Sequence, residues 1–432
     1  MRQIKISIQK LLIVMILYIT FQSSTIFNRP NRYVAMAFGA LVILGILSRK
    51  VKICSNLSFI HYLSLIILGY MVLNVLQSET LLKSGYFTLL LFSTIMIIFI
   101  KWNSSAIAFY MKWIERLLFF FCLTIYLNWI IKGLMTNILS FIVISDSSRR
   151  VLVSEIAAGQ YSGILAERSC ASVAAVLGMG LSFAKYLADN KRERKHLLLV
   201  CYYFLALILT GKRSPIIIVV VAIVCALLMV RYSNKGIRLP FMILGVAVSA
   251  YLVAMYFPPV QAIIQRTQTL FDNDMALNGR DVLWSLAMKM YHENPWFGTG
   301  INSFNTKFSA WGIWGNAWGS HAHNTYIQLL GETGIIGCIL FVLLFVGTLV
   351  MSIRLVQTKD LYRYKDLNLI AIFAFFIEIF WLGYGLSGNP FYYLEQRVMY
   401  FTGIALMLYV RDELGFRMRK EKEMNRTERI EE

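Results

Sequence analysis

The chain has 432 residues, of which 58% are hydrophobic and only 15% charged. That composition excludes an ordinary soluble domain and a disordered chain, both of which need far more charged surface. The formal charge of +19 invites nucleic acid as a partner, but the cations sit in short connectors between apolar runs, which is the pattern of membrane topology.

Apolar runs of about the length that crosses a bilayer recur about a dozen times. They predict an all-α integral membrane protein of about 12 transmembrane helices, at roughly 9–27, 33–48, 58–76, 86–100, 115–131, 169–187, 196–210, 215–230, 239–257, 325–353, 367–386 and 396–410. The first run follows Arg2, Lys5 and Lys10 and lacks a small-residue cleavage site, so it reads as a retained span. With connectors assigned alternately to the two sides, the larger share of the 42 Lys and Arg falls on the N-terminal side. Arg49, Lys50 and Lys52, the connectors 185–195 and 354–365, and the tail after Arg411 all lie there. By the positive-inside rule both termini are then cytoplasmic, with membrane lipids as surroundings. The layout is helices 1–9 with short loops over 1–257, one large extracytoplasmic loop with short helices over 258–322, helices 10–12 over 323–410, and a cytoplasmic tail over 411–432. The tail is of mixed sign and reads as a frayed helix. Cys54, Cys122, Cys170, Cys201, Cys225 and Cys338 show no CxxC spacing and mostly lie in or beside apolar runs, where a thiol is a small hydrophobe.

Two outer connectors are informative. In the first, 132–168, the apolar stretch 137–145 is too short to span and is expected in the interface. The same connector ends on Glu167 and Arg168 at the mouth of a span. These two form a neighbouring salt bridge or interfacial anchors, or Glu167 accepts sugar hydroxyls. The second, Thr210-Gly-Lys-Arg-Ser-Pro215, is so short that Lys212 and Arg213 are held at the outer membrane surface. Cations there gain nothing from topology, and charge at membrane depth is costly. Pro215 fits the first position of the next helix, whose free N–H groups beside an arginine would make a phosphate site. Two snorkelling side chains at a tight turn are the plainer reading.

The loop over 258–322 stays polar and aromatic, and long loops in compact chains are usually functional. Arg266, Arg280, Lys289 and Lys307 balance Asp272, Asp274, Asp281 and Glu293, so localised recognition is expected rather than a polyanion surface. A helix is predicted from Arg280 to Asn294, with Leu283, Leu286, Ala287, Met290 and Tyr291 as its apolar stripe and Pro295 as its stop. Arg280 at its first turn opposes the helix dipole, which makes sense with an anion between them, or as a balance for Asp281. Arg266 stands in the same relation to Asp272 or Asp274. Trp284, Trp296, Phe297, Phe304, Phe308, Trp311, Trp314 and Trp318 suit the membrane interface or stacking on sugar rings. The loop closes on His321-Ala-His-Asn324, which places His323 at the outer surface beside a span. An imidazole titrating near pH 6.5 is suited to take a proton from a sugar hydroxyl. Gly331, Gly334 and Gly337 allow close packing or mark an interrupted span, and Glu332 falls on the helical face away from His323. No carboxylates at ligand spacing accompany His321 and His323, and no phosphate loop, dinucleotide fingerprint or Ser-His-Asp set is present. No cofactor is expected.

Three elements in this order, Gly279-Arg280-Asp-Val-Leu-Trp284, Asn294-Pro-Trp-Phe-Gly-Thr-Gly300, and His323-Asn324 followed after nine residues by Gly334 and Gly337, resemble the signature region of the O-antigen ligase and polysaccharide polymerase family. The segment around Arg213 resembles the family's short arginine motif, whereas the connector at Glu167 lacks the Pro often present there. The resemblance implies a membrane glycosyltransferase that moves a glycan from an undecaprenyl-pyrophosphate-linked oligosaccharide to an acceptor hydroxyl, without metal and with inversion. It implies His323 as the base and Arg213, Arg280 and Arg266 as donor pyrophosphate ligands. Glu167, Lys212, His321 and Asn324 are expected to touch sugar or acceptor. A second lipid-linked repeat unit as acceptor makes a polymerase, the reading favoured here, and lipid A core or another terminal acceptor makes a ligase. Other polysaccharide-assembly proteins are possible partners. A flippase of lipid-linked sugars is the rival from another class; it would carry its charges at the bilayer midplane and often show internal repeats, of which none is found. A non-catalytic assembly protein would have little need of the ordered Arg213, Arg280 and His323.

Overall fold

The computed structural model describes residues 7–22, 30–132, 146–189, 193–230, 280–311 and 321–431, with 134, 137 and 138. The expected span at 239–257, Arg266, the loop residues 258–279 and 312–320, and 139–145 of the interfacial stretch lie outside them. Among the described residues the chain is helical with no strand. Its α-helices are α1 (Ile8–Phe21), α2 (Asn31–Leu47), α3 (Phe59–Leu76), α4 (Leu81–Phe99), α5 (Ser104–Ile130), α6 (Asp146–Ala157), α7 (Arg168–Ala188), α8 (Arg194–Leu209), α9 (Arg213–Met229), α10 (Arg280–Glu293), α11 (Phe304–Ala310), α12 (Thr325–Val356), α13 (Lys365–Gly385) and α14 (Leu394–Glu431).

Helices α3, α4, α7, α12 and α13 are long and apolar enough to cross a membrane, and α1, α2 and α9 are shorter apolar helices. Two helices outrun their apolar runs. Helix α5 begins at Ser104 because Asn103 caps it, accepting the Ala106 N–H at 2.8 Å; Lys112, Glu115 and Arg116 then interrupt its hydropathy without interrupting the helix. Helix α14 carries the last apolar run straight into the charged tail, as one 38-residue helix rather than a separate frayed segment. Arg417 secures that extension, pairing with Asp366 at 2.8 Å and with Glu413 at 3.0 Å.

Helices α7 and α13 form the centre. Ala171, Ala174, Ala175, Gly178, Gly180 and Ala184 give α7 a surface of small side chains, into which Tyr203 packs at Gly178 and Phe376 at Gly180. Small residues let helix backbones approach, which is how helices associate where lipid removes the hydrophobic drive. Helix α13 continues the packing onto α9, α12 and α14. Helix α12 also packs on α3 and α10, so the polar loop helix α10 rests directly on a membrane helix.

Candidate functional site

The site is built on a broken helix. Gly334 has φ +63° and ψ −172° in the middle of α12, a backbone conformation that side chains with a Cβ rarely adopt. A break frees N–H and C=O groups that hydrocarbon cannot satisfy, and the loop before α11 supplies the partners. Ile335 N–H donates to Pro295 O at 2.8 Å and Ile336 N–H to Trp296 O at 3.3 Å. In the other direction Gly300 N–H donates to Glu332 O at 2.9 Å and Thr299 N–H to Gly331 O at 3.3 Å. Helix α3 closes the joint: Tyr70 Oη donates to Thr333 O at 2.5 Å, Asn74 Nδ2 to Phe297 O at 2.8 Å, and Ile301 N–H to Asn74 Oδ1 at 2.7 Å. The segment Asn294-Pro-Trp-Phe-Gly-Thr-Gly300 and the glycines after His323 are thus two halves of one structure. Gly334 marks an interrupted span, and Gly298 opposite it, at φ +73°, leaves no room for a Cβ against the Glu332 carbonyl.

Ahead of the break sits the histidine turn. Asn324 is the N-cap of α12, its Oδ1 accepting from Tyr326 N–H at 3.0 Å and Ile327 N–H at 3.2 Å. Ala322, between the two histidines, is fully buried and held from both sides. Its N–H donates to Gln328 Oε1 at 2.9 Å, and its carbonyl accepts from Trp284 Nε1 of α10 at 3.0 Å. His321 is half-buried with Tyr392 and Tyr393 against its ring, centroids 5.5 and 5.4 Å away. His323 is half-buried with φ +52°, in the left-handed region where a non-glycine residue needs external support. Glu332 lies one turn beyond Gln328, with both oxygens occupied: Oε1 accepts from Phe304 N–H at 3.0 Å and Gln328 Nε2 at 3.0 Å, and Oε2 from Asn302 N–H at 2.7 Å and Tyr392 Oη at 2.8 Å.

Cations gather beside this turn. Arg280 is the first residue of α10 and makes no ion pair among the described residues, so it does not balance Asp281. Burial lowers its pKa, and Arg213 nearby lowers it further, while Tyr384 acts the other way. Lys212 is shifted down as well, first by burial, then by Arg168, with Arg280 adding to the effect; Glu167 and Glu155 oppose it. The other described cations of the large loop are committed elsewhere. Lys289 lies over the Trp311 ring at 4.3 Å, and Lys307 pairs with Glu79 at 2.9 Å and Glu293 at 3.4 Å. Tyr393 links the two halves of the site, with His321 against its ring and Glu167 and Tyr384 close enough to act on its hydroxyl. Burial raises the pKa of that hydroxyl, so it stays a donor.

The structure therefore gathers Glu167, Lys212, Arg213, Arg280 and His321 around Tyr384 and Tyr393, with His323 two residues further along the histidine turn. Arg266 lies outside the described residues. Three local expectations need correcting. Arg168 pairs with Glu155 of α6 at 2.6 Å, not with its neighbour Glu167, because α6 folds back over the mouth of α7. Glu167 Oε2 instead faces the Cys170 thiol at 3.9 Å. Pro215 is the third residue of α9, since the helix already starts at Arg213, with Lys212 at the N-cap giving no side-chain cap. Among the aromatic residues, Phe304 is core, Trp284, Phe308 and Trp311 pack around it, and Trp296 and Phe297 are exposed; Trp314 and Trp318 lie outside the described residues. Sequence reasoning missed Gln328, Tyr384, Asn389, Tyr392 and Tyr393. The last four lie in or beside the turn between α13 and α14, whose Gly388 carbonyl accepts the Thr325 N–H at 3.1 Å. Its Ser387-Gly-Asn-Pro390 string is a turn signal, but nothing in sequence says that the turn docks on α12. Among the described residues, the side chains whose donor atoms converge as a metal would need are Asp189 and Glu193, which flank the connector between α7 and α8, and His196 in the first turn of α8, far along α7 from Glu167.

Fold and site together define a polytopic helical membrane protein with a cationic, histidine-bearing polar rim. Residues 197–342 match the family model described as O-Antigen ligase. The match takes in Lys212, Arg213, Arg280, both histidines and the break at Gly334, and supports the O-antigen ligase and polysaccharide polymerase family of bacterial membrane glycosyltransferases. No curated protein matches the chain.

Proposed function

We propose that the protein transfers a glycan from an undecaprenyl-pyrophosphate-linked oligosaccharide to an acceptor hydroxyl on the outer side of the inner membrane, and that it polymerises surface-polysaccharide repeat units. The observation that carries this reading is the meeting of Arg213 and Arg280, far apart in sequence, beside the turn that holds His323. Two guanidiniums sharing one partly buried place repel each other, and an anion between them relieves that repulsion. A pyrophosphate leaving group meets this need and also makes the anomeric carbon reactive. His323 then takes the acceptor proton while the arginines stabilise the charge on the departing pyrophosphate. Direct displacement inverts the anomeric configuration, and the arginines supply the positive charge that stabilises the leaving group.

About 12 spans with both termini in the cytoplasm accompany this proposal, as the outer side must hold His323, Arg213 and Arg280 together. Arg266 is assigned to the same pyrophosphate, and Glu167, Lys212 and His321 to sugar or acceptor. Asn324 is left to its cap, which occupies its acceptor oxygen. Ligation to lipid A core or another terminal acceptor uses the same chemistry with a different acceptor.

The test is purified protein in lipid with a defined undecaprenyl-pyrophosphate glycan and acceptor. His323→Ala should still bind donor but lose about 10²–10⁴-fold in turnover, the usual loss for a general base. Full transfer by His323→Ala would defeat the assignment. A ladder of lengthening products identifies a polymerase, and a single addition to a terminal acceptor identifies a ligase.

A further inference from the structure

We propose that Gln328 and Glu332 are positioning residues that hold the His321–His323 turn in its reactive shape. This rests on the reading of His323 as the base. Gln328 and Glu332 are completely buried, one turn apart on the short segment of α12 between its N-cap and its break at Gly334. A carboxylate fully out of water is costly unless its lone pairs are all engaged. Glu332 meets that demand with four donors from three places: Asn302 and Phe304 from the loop end and first residue of α11, Gln328 from its own helix, and Tyr392 from the turn before α14.

The arrangement also has a direction. Glu332 fixes the Gln328 amide by taking one of its N–H groups. The amide oxygen is thereby turned to accept the Ala322 N–H, and Asn389 Nδ2 donates to the same oxygen. The amide nitrogen lies 3.5 Å from His321 Nδ1. With Trp284 on its carbonyl, Ala322 cannot rotate, and His323 is held in a left-handed conformation that a free chain would leave. A core serving stability alone would be cheaper in apolar side chains. The polar chain from the joint to the histidine turn is accounted for if the geometry of His323 depends on it.

Three variants test this in the transfer assay: Gln328→Met, which keeps the volume and removes the acceptor for Ala322; Glu332→Gln, which sets an N–H against existing donors; and Tyr392→Phe, which removes a single hydroxyl and serves if the others do not fold. The expected result is a fall in kcat of about 10- to 100-fold for Gln328→Met and Glu332→Gln, the scale of an ångström-sized misplacement of a reacting group. Tyr392→Phe should fall in the same direction by less. The KM for donor should stay within about twofold in all three, since donor binding rests on the arginines. Wild-type kcat in folded Gln328→Met or Tyr392→Phe would overturn the proposal. So would kcat and KM moving together in step with lost folded protein, which marks a purely structural role. His323→Ala run alongside separates the layers. If it transfers normally, the base assignment falls and takes this proposal with it. If it is inactive while the three variants keep wild-type kcat, this proposal alone falls.

Discussion

Arg280 and Lys289 lie on the same helix, yet only the second has a visible local task, capping the Trp311 ring. Arg280→Ala should therefore abolish transfer, and Arg280→Lys should retain little, because an ammonium cannot make a guanidinium's bidentate contact. Lys289→Ala should stay within about twofold; equal behaviour of the two alanine variants at equal protein level would reduce Arg280 to a surface charge. Lys212 allows a second test, on stability. Its pKa is lowered by burial first and by Arg168 next, so the folded protein holds this proton less tightly than the unfolded chain does. The resulting cost is fully present below the folded-state pKa and fades as pH rises from there toward the ordinary lysine value of about 10.4. Lys212→Met should unfold at a higher temperature than wild type at pH 7, with the difference shrinking at alkaline pH. A lower unfolding temperature for Lys212→Met at pH 7 would show that burial of the Lys212 charge costs the fold nothing.

Helix α12 is two functional pieces joined at Gly334. An alanine Cβ there would lie 2.4 Å from the Trp296 carbonyl, in a glycine-only conformation that by itself costs a side chain about 1–3 kcal/mol. Gly334→Ala should lower the unfolding temperature in detergent and cut the yield of folded protein. Gly347→Ala, further along the same helix with its nearest neighbour at 3.4 Å, should change stability by no more than about 0.5 kcal/mol. Equal stability of the two would mean that the break is not needed. This joint also marks what was legible in the sequence. Hydropathy located α3, α12 and α13 to within a few residues, because burial in lipid writes itself along one chain as an apolar run. Charge breaks hydropathy before it breaks a helix, which is why α5 starts earlier than its apolar run. The docking of residues 295–300 into the gap in α12 is a pairing of backbone groups, and backbone groups leave no composition signal. Only the glycines hinted at it. The same blindness hid Tyr392 and Asn389, whose value lies in where the turn after α13 comes to rest rather than in their own type.

At the scale of the whole molecule, the cations of the connectors and those of the site have to lie on opposite sides of the membrane for the chemistry to work. After the break, Ile335–Val356 is about 33 Å long at 1.5 Å per residue, against roughly 30 Å of hydrocarbon. The piece before the break, carrying Gln328 and Glu332, is surplus to that length. Just past Val356 come Lys359, Arg363 and Lys365, following Arg354, a density of cations typical of a cytoplasmic edge. Transfer on the outer face therefore requires one crossing of α12 between α11 and the connector before α13. A periplasm-dependent phosphatase fused after Ala310 should be active and a fluorescent protein fused there dark. After Lys359 the two reporters should exchange behaviour. Both fusion points reporting the same side would mean that α12 does not cross, and the opposite assignment at both would put His323, Arg213 and Arg280 in the cytoplasm. Either result would remove the ground for transfer on the outer face, whatever the arginine and histidine variants do in a detergent assay.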